Sequence, residues 1–160
     1  MKIRFLAEAA IVAAIYATLT LFLAPISYGP LQLRVSEALT VLPAIKPAAI
    51  PGLFIGCVIA NVVGPYGIYD VIFGSVATLI ASLITYLFRK KASLVPLPPV
   101  IINGIVIGAM LHYVYGVPNL LACMGWVALG QLIACYGLGL PLFIKLKNNK
   151  RIFMEQGMDI

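Results

Sequence analysis

The chain has 160 residues, of which 62% are hydrophobic and 10% charged, with a formal net charge of +6. A mean hydropathy of +1.07 describes more apolar surface than one small soluble core can bury, so the bilayer is its natural solvent and no room is left for a soluble domain. In such a chain the positive charge marks the cytoplasmic face of a membrane protein rather than a nucleic-acid groove.

Apolar runs at about 5 to 24, 48 to 64, 70 to 88, 96 to 115 and 120 to 144 are each long enough, or nearly so, to cross about 30 Å of hydrocarbon at about 1.5 Å per residue. The first exceeds a signal-peptide core and has no small-residue cleavage site, so it reads as a mature span. Between the first two runs, Arg34 to Ile45 would measure only about 18 Å as an α-helix. It is therefore a thinned or partial span, or one extended by irregular backbone that protein covers.

With six crossings and a cytoplasmic N-terminus, ten basic residues (Lys2, Arg4, Lys46, Arg89, Lys90, Lys91, Lys145, Lys147, Lys150 and Arg151) fall inside and only Arg34 outside. Five crossings with an external N-terminus still leave nine inside and two outside. Six are preferred because the basic N-terminus is easier to retain than to translocate. Residues 1–147 then form a single all-α, six-helix membrane domain with a short second helix, followed by a cytoplasmic basic tail, 148–160. In this topology Arg34, Glu37, Asn61, Tyr66, Tyr69, Asp70, His112, Tyr113, Tyr115 and Asn119 gather in the outer half, with Tyr28 and Gln32 in the first outer loop.

Arg34 and Glu37 stand three residues apart, the spacing of a helical i, i+3 pair, and Asp70 is placed as an acid at a helix start. Those are the structural alternatives. The functional one is that a marginal helix carries two charges because a cavity lies beside it, since ionisable groups near hydrocarbon are costly unless paired or wet. Asn61 and Gln131 are the uncharged polar residues placed near that cavity. In "NGIVIGAMLHYVYG", Gly104, Gly108 and His112 share one face; the glycines suit close helix packing, and His112 is either a packing histidine or a ligand contact. Trp126 and the outer tyrosines suit an interfacial belt. Ala9, Ala13 and Ala17 form a small-residue groove that fits a helix either inside the bundle or in a partner protein. Cys57, Cys123 and Cys135 lack metal-ligand spacing and read as packing residues. No phosphate loop, metal-ligand pair or nucleophilic triad is present in the sequence, so neither catalysis nor a cofactor is expected.

The stretches "ISYGPLQLRVSEALTVLP" and "AIPGLFIGCVIANVVGPYGIYDVIFGSVATLIASLITY" closely resemble the QueT family, the queuosine-precursor members of the energy-coupling factor (ECF) transporters. The resemblance runs to about residue 147. It implies a six-helix substrate-binding S component, cytoplasmic at both ends, that captures a vitamin-like molecule on the outer face. It also implies a membrane T component and two cytoplasmic ATPases as partners, Ala9, Ala13 and Ala17 as the docking contact, and "APISYGPLQ" as a lid. The expected ligand is a 7-deazaguanine such as preQ1 or queuine, a flat ring with a guanidine-like donor edge and, in the aminomethyl form, a cation. Glu37 and Asp70 would divide edge and cation between them, Arg34 would orient Glu37, Asn61 would read the ring, and His112, Tyr66, Trp126 and Gln131 would complete the site. A self-sufficient small carrier, an S component for another vitamin-like molecule, and a structural subunit with no ligand are the competing readings.

Overall fold

The computed structural model describes residues 2–28 and 32–148. The tail of 148–160, but for its first residue, and Gly29 to Leu31 of the expected lid lie outside the described residues. Five long helices carry the fold: α1 (Lys2–Phe22), α2 (Ala49–Val63), α3 (Gly67–Leu87), α4 (Leu97–Tyr113) and α5 (Leu120–Lys147). Among the described residues four helices are long and apolar enough to cross a membrane: α1, α3, α4 with its preceding turn, and α5. Two more, Val35–Ala44 and α2, are apolar but shorter. This is a multi-pass membrane protein with a helical bundle.

Large apolar side chains face outward along every long helix, among them Ile11 and Ile15 on α1, Ile72 and Val76 on α3, and Leu129 and Ile133 on α5. In water such a surface would aggregate; in a bilayer it is the solvated surface. The inward faces mix small and polar residues with apolar clusters such as Val41, Ile45, Val95 and Phe143. Close approach is what the small residues provide: a Cβ placed at Gly52 or Gly56 of α2 would meet the backbone oxygens of Ala9 and Ala13 at 2.6 and 2.8 Å. Gly104 and Gly108 of α4 meet Ala128 and Met124 of α5 in the same way. Lipid tails drive no hydrophobic association between spans, so backbone contact of this kind supplies the packing energy.

The segment Val35–Ala44 is a 3-10 helix. At roughly 2.0 Å per residue it reaches further than an α-helix of the same length, to about 20 Å. None of its residues is exposed; it lies against α1, α2, α3 and the far half of α5. Ser36 meets Thr20, Glu37 meets Tyr16, and Lys46 just beyond meets Glu8, so it runs antiparallel to α1 over about 18 Å of that helix. Protein, not lipid, covers its backbone, the condition under which irregular structure is tolerated at membrane depth.

Two π-helical stretches interrupt the long helices, Asp70–Gly74 in α3 and Ile133–Gly139 in α5. The 3-10 helix packs against the second of them, and both lie beside the same polar interior.

Candidate functional site

The polar interior begins at the start of the 3-10 helix. Arg34 is the residue before its first turn and its backbone is extended, with φ −91° and ψ 105°, so its side chain does not stack above Glu37. It reaches instead across the bundle: Nη1 donates to Asn61 Oδ1 at 3.0 Å and Nη2 to Asp70 Oδ2 at 3.0 Å. The i, i+3 pair that the spacing allows is thus replaced by a long-range ion pair, and Arg34 is buried. Asn61 is consumed by this frame, because its Nδ2 donates to the Asp70 carbonyl at 2.9 Å. It positions Arg34 and Asp70, with both ends of its amide engaged in the frame.

Glu37 is a separate centre. It is only 1% exposed, and its Oε1 accepts from the Tyr16 hydroxyl at 2.5 Å while Oε2 accepts from Asn103 Nδ2 at 3.4 Å. Its own carbonyl takes the Thr40 hydroxyl at 2.6 Å and the Cys135 thiol at 3.5 Å. Residues from α1 and α4 therefore fix the side chain of Glu37, and one from α5 fixes its backbone carbonyl. Among the described residues no cation lies within ion-pair distance of its carboxyl oxygens, since the ion pairs are Arg4 with Glu8, Lys46 with Glu8, and Arg34 with Asp70.

A small cavity lies between these groups, lined by Gln32, Arg34, Glu37, Gly74, Thr78, Asn103, Ile107, Val127 and Gln131. Its free space is about 10 Å³, enough for about one water. Two wall atoms, Gln32 Nε2 and Asn103 Oδ1, are buried without a hydrogen-bond partner, as is Asp70 Oδ1 beside Gly74. Buried polar groups are nearly always bonded, so Gln32 Nε2, a donor, and Asn103 Oδ1, an acceptor, are wall atoms free to take a partner inside the cavity. Gln32 also holds a left-handed backbone, φ 44°, an uncommon conformation outside glycine that concentrates at ligand sites.

Three tyrosines close the end of the bundle above Arg34. Tyr28, Tyr66 and Tyr115 come from three different connections, with ring centroids 6.2 Å (Tyr28 to Tyr66) and 5.4 Å (Tyr66 to Tyr115) apart. Tyr28 donates to the Ala60 carbonyl and Tyr66 to the Tyr28 carbonyl, and Tyr115 donates to the Tyr66 carbonyl. The Arg34 guanidinium lies 5.3 Å from the Tyr28 ring centre.

Of the residues expected at the site, Arg34, Glu37 and Gln131 line the cavity, Asn61 and Asp70 brace Arg34, and Tyr66 belongs to the cap. His112 does not join them; its Nδ1 is 2.8 Å from the Val117 carbonyl, so it pins the loop that follows its own helix. Trp126 is 55% exposed, on the stripe with Leu129 and Ile133 that faces lipid. Ala9, Ala13 and Ala17 are buried, with Ala9 and Ala13 against Gly52 and Gly56 of α2, so that face of α1 is covered by the chain itself.

Tyr16, Asn103, Thr78 and Thr40 escaped the sequence reading. Tyr16 and Thr20 continue the alanine stripe at helical spacing, Ala9, Ala13, Tyr16, Ala17, Thr20, all buried. That period was the available signal. Asn103 likewise precedes Gly104 on the buried face with Val100 and Ile107.

The sequence profile described as QueT transporter matches residues 6–148, a span that contains the whole cavity. One curated relative, the queuosine precursor transporter QueT of Lactococcus lactis subsp. cremoris (strain MG1363), is 44% identical over 73 residues. The alignment covers 44% of this chain and 43% of that relative, less than half of either. No solved structure matches. With the profile matched across nearly its full length, this chain belongs to the QueT transporter family.

Proposed function

We propose that the chain is the substrate-binding subunit of an ECF-type importer that captures a queuosine precursor, a 7-deazaguanine, in the cavity beside Glu37. The observation that carries this reading is the buried cavity wall itself: Glu37, Arg34, Gln131, and the unpartnered Gln32 Nε2 and Asn103 Oδ1, assembled inside a bundle whose outer surface is apolar. A flat heterocycle with donors on one edge and a carbonyl on the other matches a wall that offers both acceptors and donors. The curated relative's name supplies the substrate class.

In this reading all six apolar segments cross, both termini are cytoplasmic, and the tyrosine end faces out. Because the cavity holds little more than a water, the ligand enters when the tyrosine cap and the 3-10 helix part, and capture is their closure over it. Asp70 and Asn61 hold Arg34 rather than the ligand, which leaves Glu37 as the ligand's carboxylate. In this reading net import also takes a membrane T component and two ATPases, since the sequence carries no phosphate-loop motif. If α1 docks on the T component it does so through its exposed side, where Ala10 and Ala14 lie.

Thermal unfolding of the purified protein with a panel of deazaguanines, vitamins and ordinary purines tests the reading, since a ligand at 100 times its Kd stabilises by about 2.7 kcal/mol. A shift with deazaguanines alone is expected. A shift with another vitamin, or with nothing, overturns the assignment, and uptake in cells lacking T component and ATPases would make the chain a carrier in its own right.

A further inference from the structure

We propose that the lysine end of the protein carries a second binding site: an apolar groove between α1 and the last turns of α5 that holds an acyl chain of one anionic phospholipid, whose phosphate sits among the basic residues at the groove's lip. The site lies at the opposite end of the 3-10 helix from Arg34 and does not depend on what the polar cavity binds.

The groove has about 170 Å³ of free space. Val12 of α1, Leu42 and Ile45 of the 3-10 helix and the residue after it, the start of α2, and Leu146 of α5 form its walls, and the partly exposed Glu8 and Lys46 stand at its lip. Around it α1 packs on α2 and on the 3-10 helix, and the last turns of α5 pack on the 3-10 helix as well, with Leu146 leaning on the cluster of Val41, Val95 and Phe143. The two long helices therefore straddle the short one, and Leu42 and Ile45 floor the space between them. The Leu42 carbonyl already takes the amides of Ile45 and Lys46 at 2.8 Å each, so the floor asks an occupant for apolar contact only. Water finds too few partners in a space of this kind, and left empty its lining forfeits dispersion contacts.

What fills it follows from where it opens. On α1, Glu8 and Val12 stand between the buried Ala9 and Ala13 and the exposed Ile11 and Ile15, and Ile144 is exposed near the end of α5. The groove's edge is thus continuous with the lipid-facing surface, where acyl chains are the apolar molecules at hand.

Charge then chooses among lipids. Arg4 Nε and Lys46 Nζ both donate to one oxygen, Glu8 Oε1, at 3.3 and 2.7 Å, and Lys145 and Lys147 flank Leu146 in the chain. Among the described residues Glu8 is the only acid at this end. Four cations around one carboxylate leave an excess of positive charge. A headgroup whose phosphate has no cation of its own neutralises that excess, whereas a choline headgroup returns a positive charge to the same place.

The test is native mass spectrometry of the full chain in detergent, stripped of lipid and titrated with dioleoyl phosphatidylglycerol or dioleoyl phosphatidylcholine. One phosphatidylglycerol should stay bound under activation that strips the choline lipid. Lys46→Gln should weaken its retention by about fivefold, the share of one basic residue beside an anionic headgroup, and leave the choline lipid unchanged. Leu146→Trp, which fills the groove, should abolish retention, with a melting curve to show that the variant is folded. Equal retention of the two lipids by the parent overturns the proposal without recourse to any variant, and so does undiminished retention in folded Leu146→Trp. Displacement of the lipid by inorganic phosphate would reduce the site to a bare anion contact. A severalfold gain in retention on truncation after Asn148 would give the groove to residues 149–160 of the chain itself, and a dimer that Leu146→Trp splits would give it to a second copy. Each of these three results overturns the assignment to lipid.

Discussion

At the residue scale, Asp70 and Glu37 are both fully buried acids with opposite employment. Asp70 is part of the frame: it anchors Arg34, and Asn61 locks the pair by bonding both partners. Breaking a buried ion pair on one side leaves a naked charge, which costs roughly 3 to 5 kcal/mol. Asp70→Asn should therefore lower the melting temperature in detergent by a large margin even without ligand, an outcome that a role confined to ligand contact would not produce. Trp126→Phe is the opposite case. Its side chain is on the lipid stripe, so ligand affinity should change by less than about twofold; a tenfold loss would move the indole into the site. That Arg34, Glu37 and Asp70 needed an account was legible in the sequence, because charges in a chain this apolar stand out. Their pairing was not. The spacing of Arg34 and Glu37 suggested a helical turn, but Arg34 has extended backbone before that turn begins, and a contact across 36 positions leaves no local trace.

At the element scale, the decisive feature is the contact of α1 with α2. Small residues at four-residue spacing declared a close helix pair in the sequence, and the periodicity extends through Tyr16 and Thr20 into the polar interior. What the pattern does not say is which helix occupies the groove. The complementary signal was Gly52 and Gly56 at the same spacing in the next long run, two grooves that fit each other. Ala13→Leu forces extra carbons between backbones already in contact, and overpacking of this sort costs about 1 to 3 kcal/mol. The protein should melt earlier, while Ala14→Leu, on the exposed side, should leave melting unchanged. Equal melting for the two variants would show that α1 does not pack on α2 through this stripe. The 3-10 helix illustrates the other half of the problem. Its shortness was evident from the length of Arg34 to Ile45 between the first two long runs, and a protein-covered, irregular crossing was among the expected solutions. That it would be a 3-10 helix could not be read, because its geometry is set by antiparallel packing on α1 and by the carbonyl bonds at Glu37.

At the scale of the whole molecule, the chain is divided into two ends. Lys46, Arg89, Lys90 and Lys91 lie in the connections at one end, while Tyr28, Tyr66 and Tyr115 cap the other. Arg34, the basic residue nearest that cap, is withdrawn from solvent by its pairing with Asp70. If the lysine end is the cytoplasmic one, as proposed, the distribution follows the positive-inside tendency. A reporter active only outside the cell, fused at the N-terminus or inserted after Lys46, should be silent in both positions. Activity after Lys46 alone would show that Val35–Ala44 does not cross, and the antiparallel run along α1 would then describe a re-entrant segment.

The three scales meet at one carboxylate. Tyr16 and Asn103 bond the Glu37 carboxylate and Cys135 its backbone carbonyl, and the cavity beside it is where a deazaguanine is proposed to bind. The direct measurement is equilibrium titration of the parent protein and of Glu37→Gln with 7-aminomethyl-7-deazaguanine, with the melting curve of each recorded alongside. Saturable one-to-one binding to the parent, weakened at least about tenfold in a variant that remains folded, is the predicted result, equivalent to about 1.4 kcal/mol or more. Parent-like affinity in folded Glu37→Gln would contradict it.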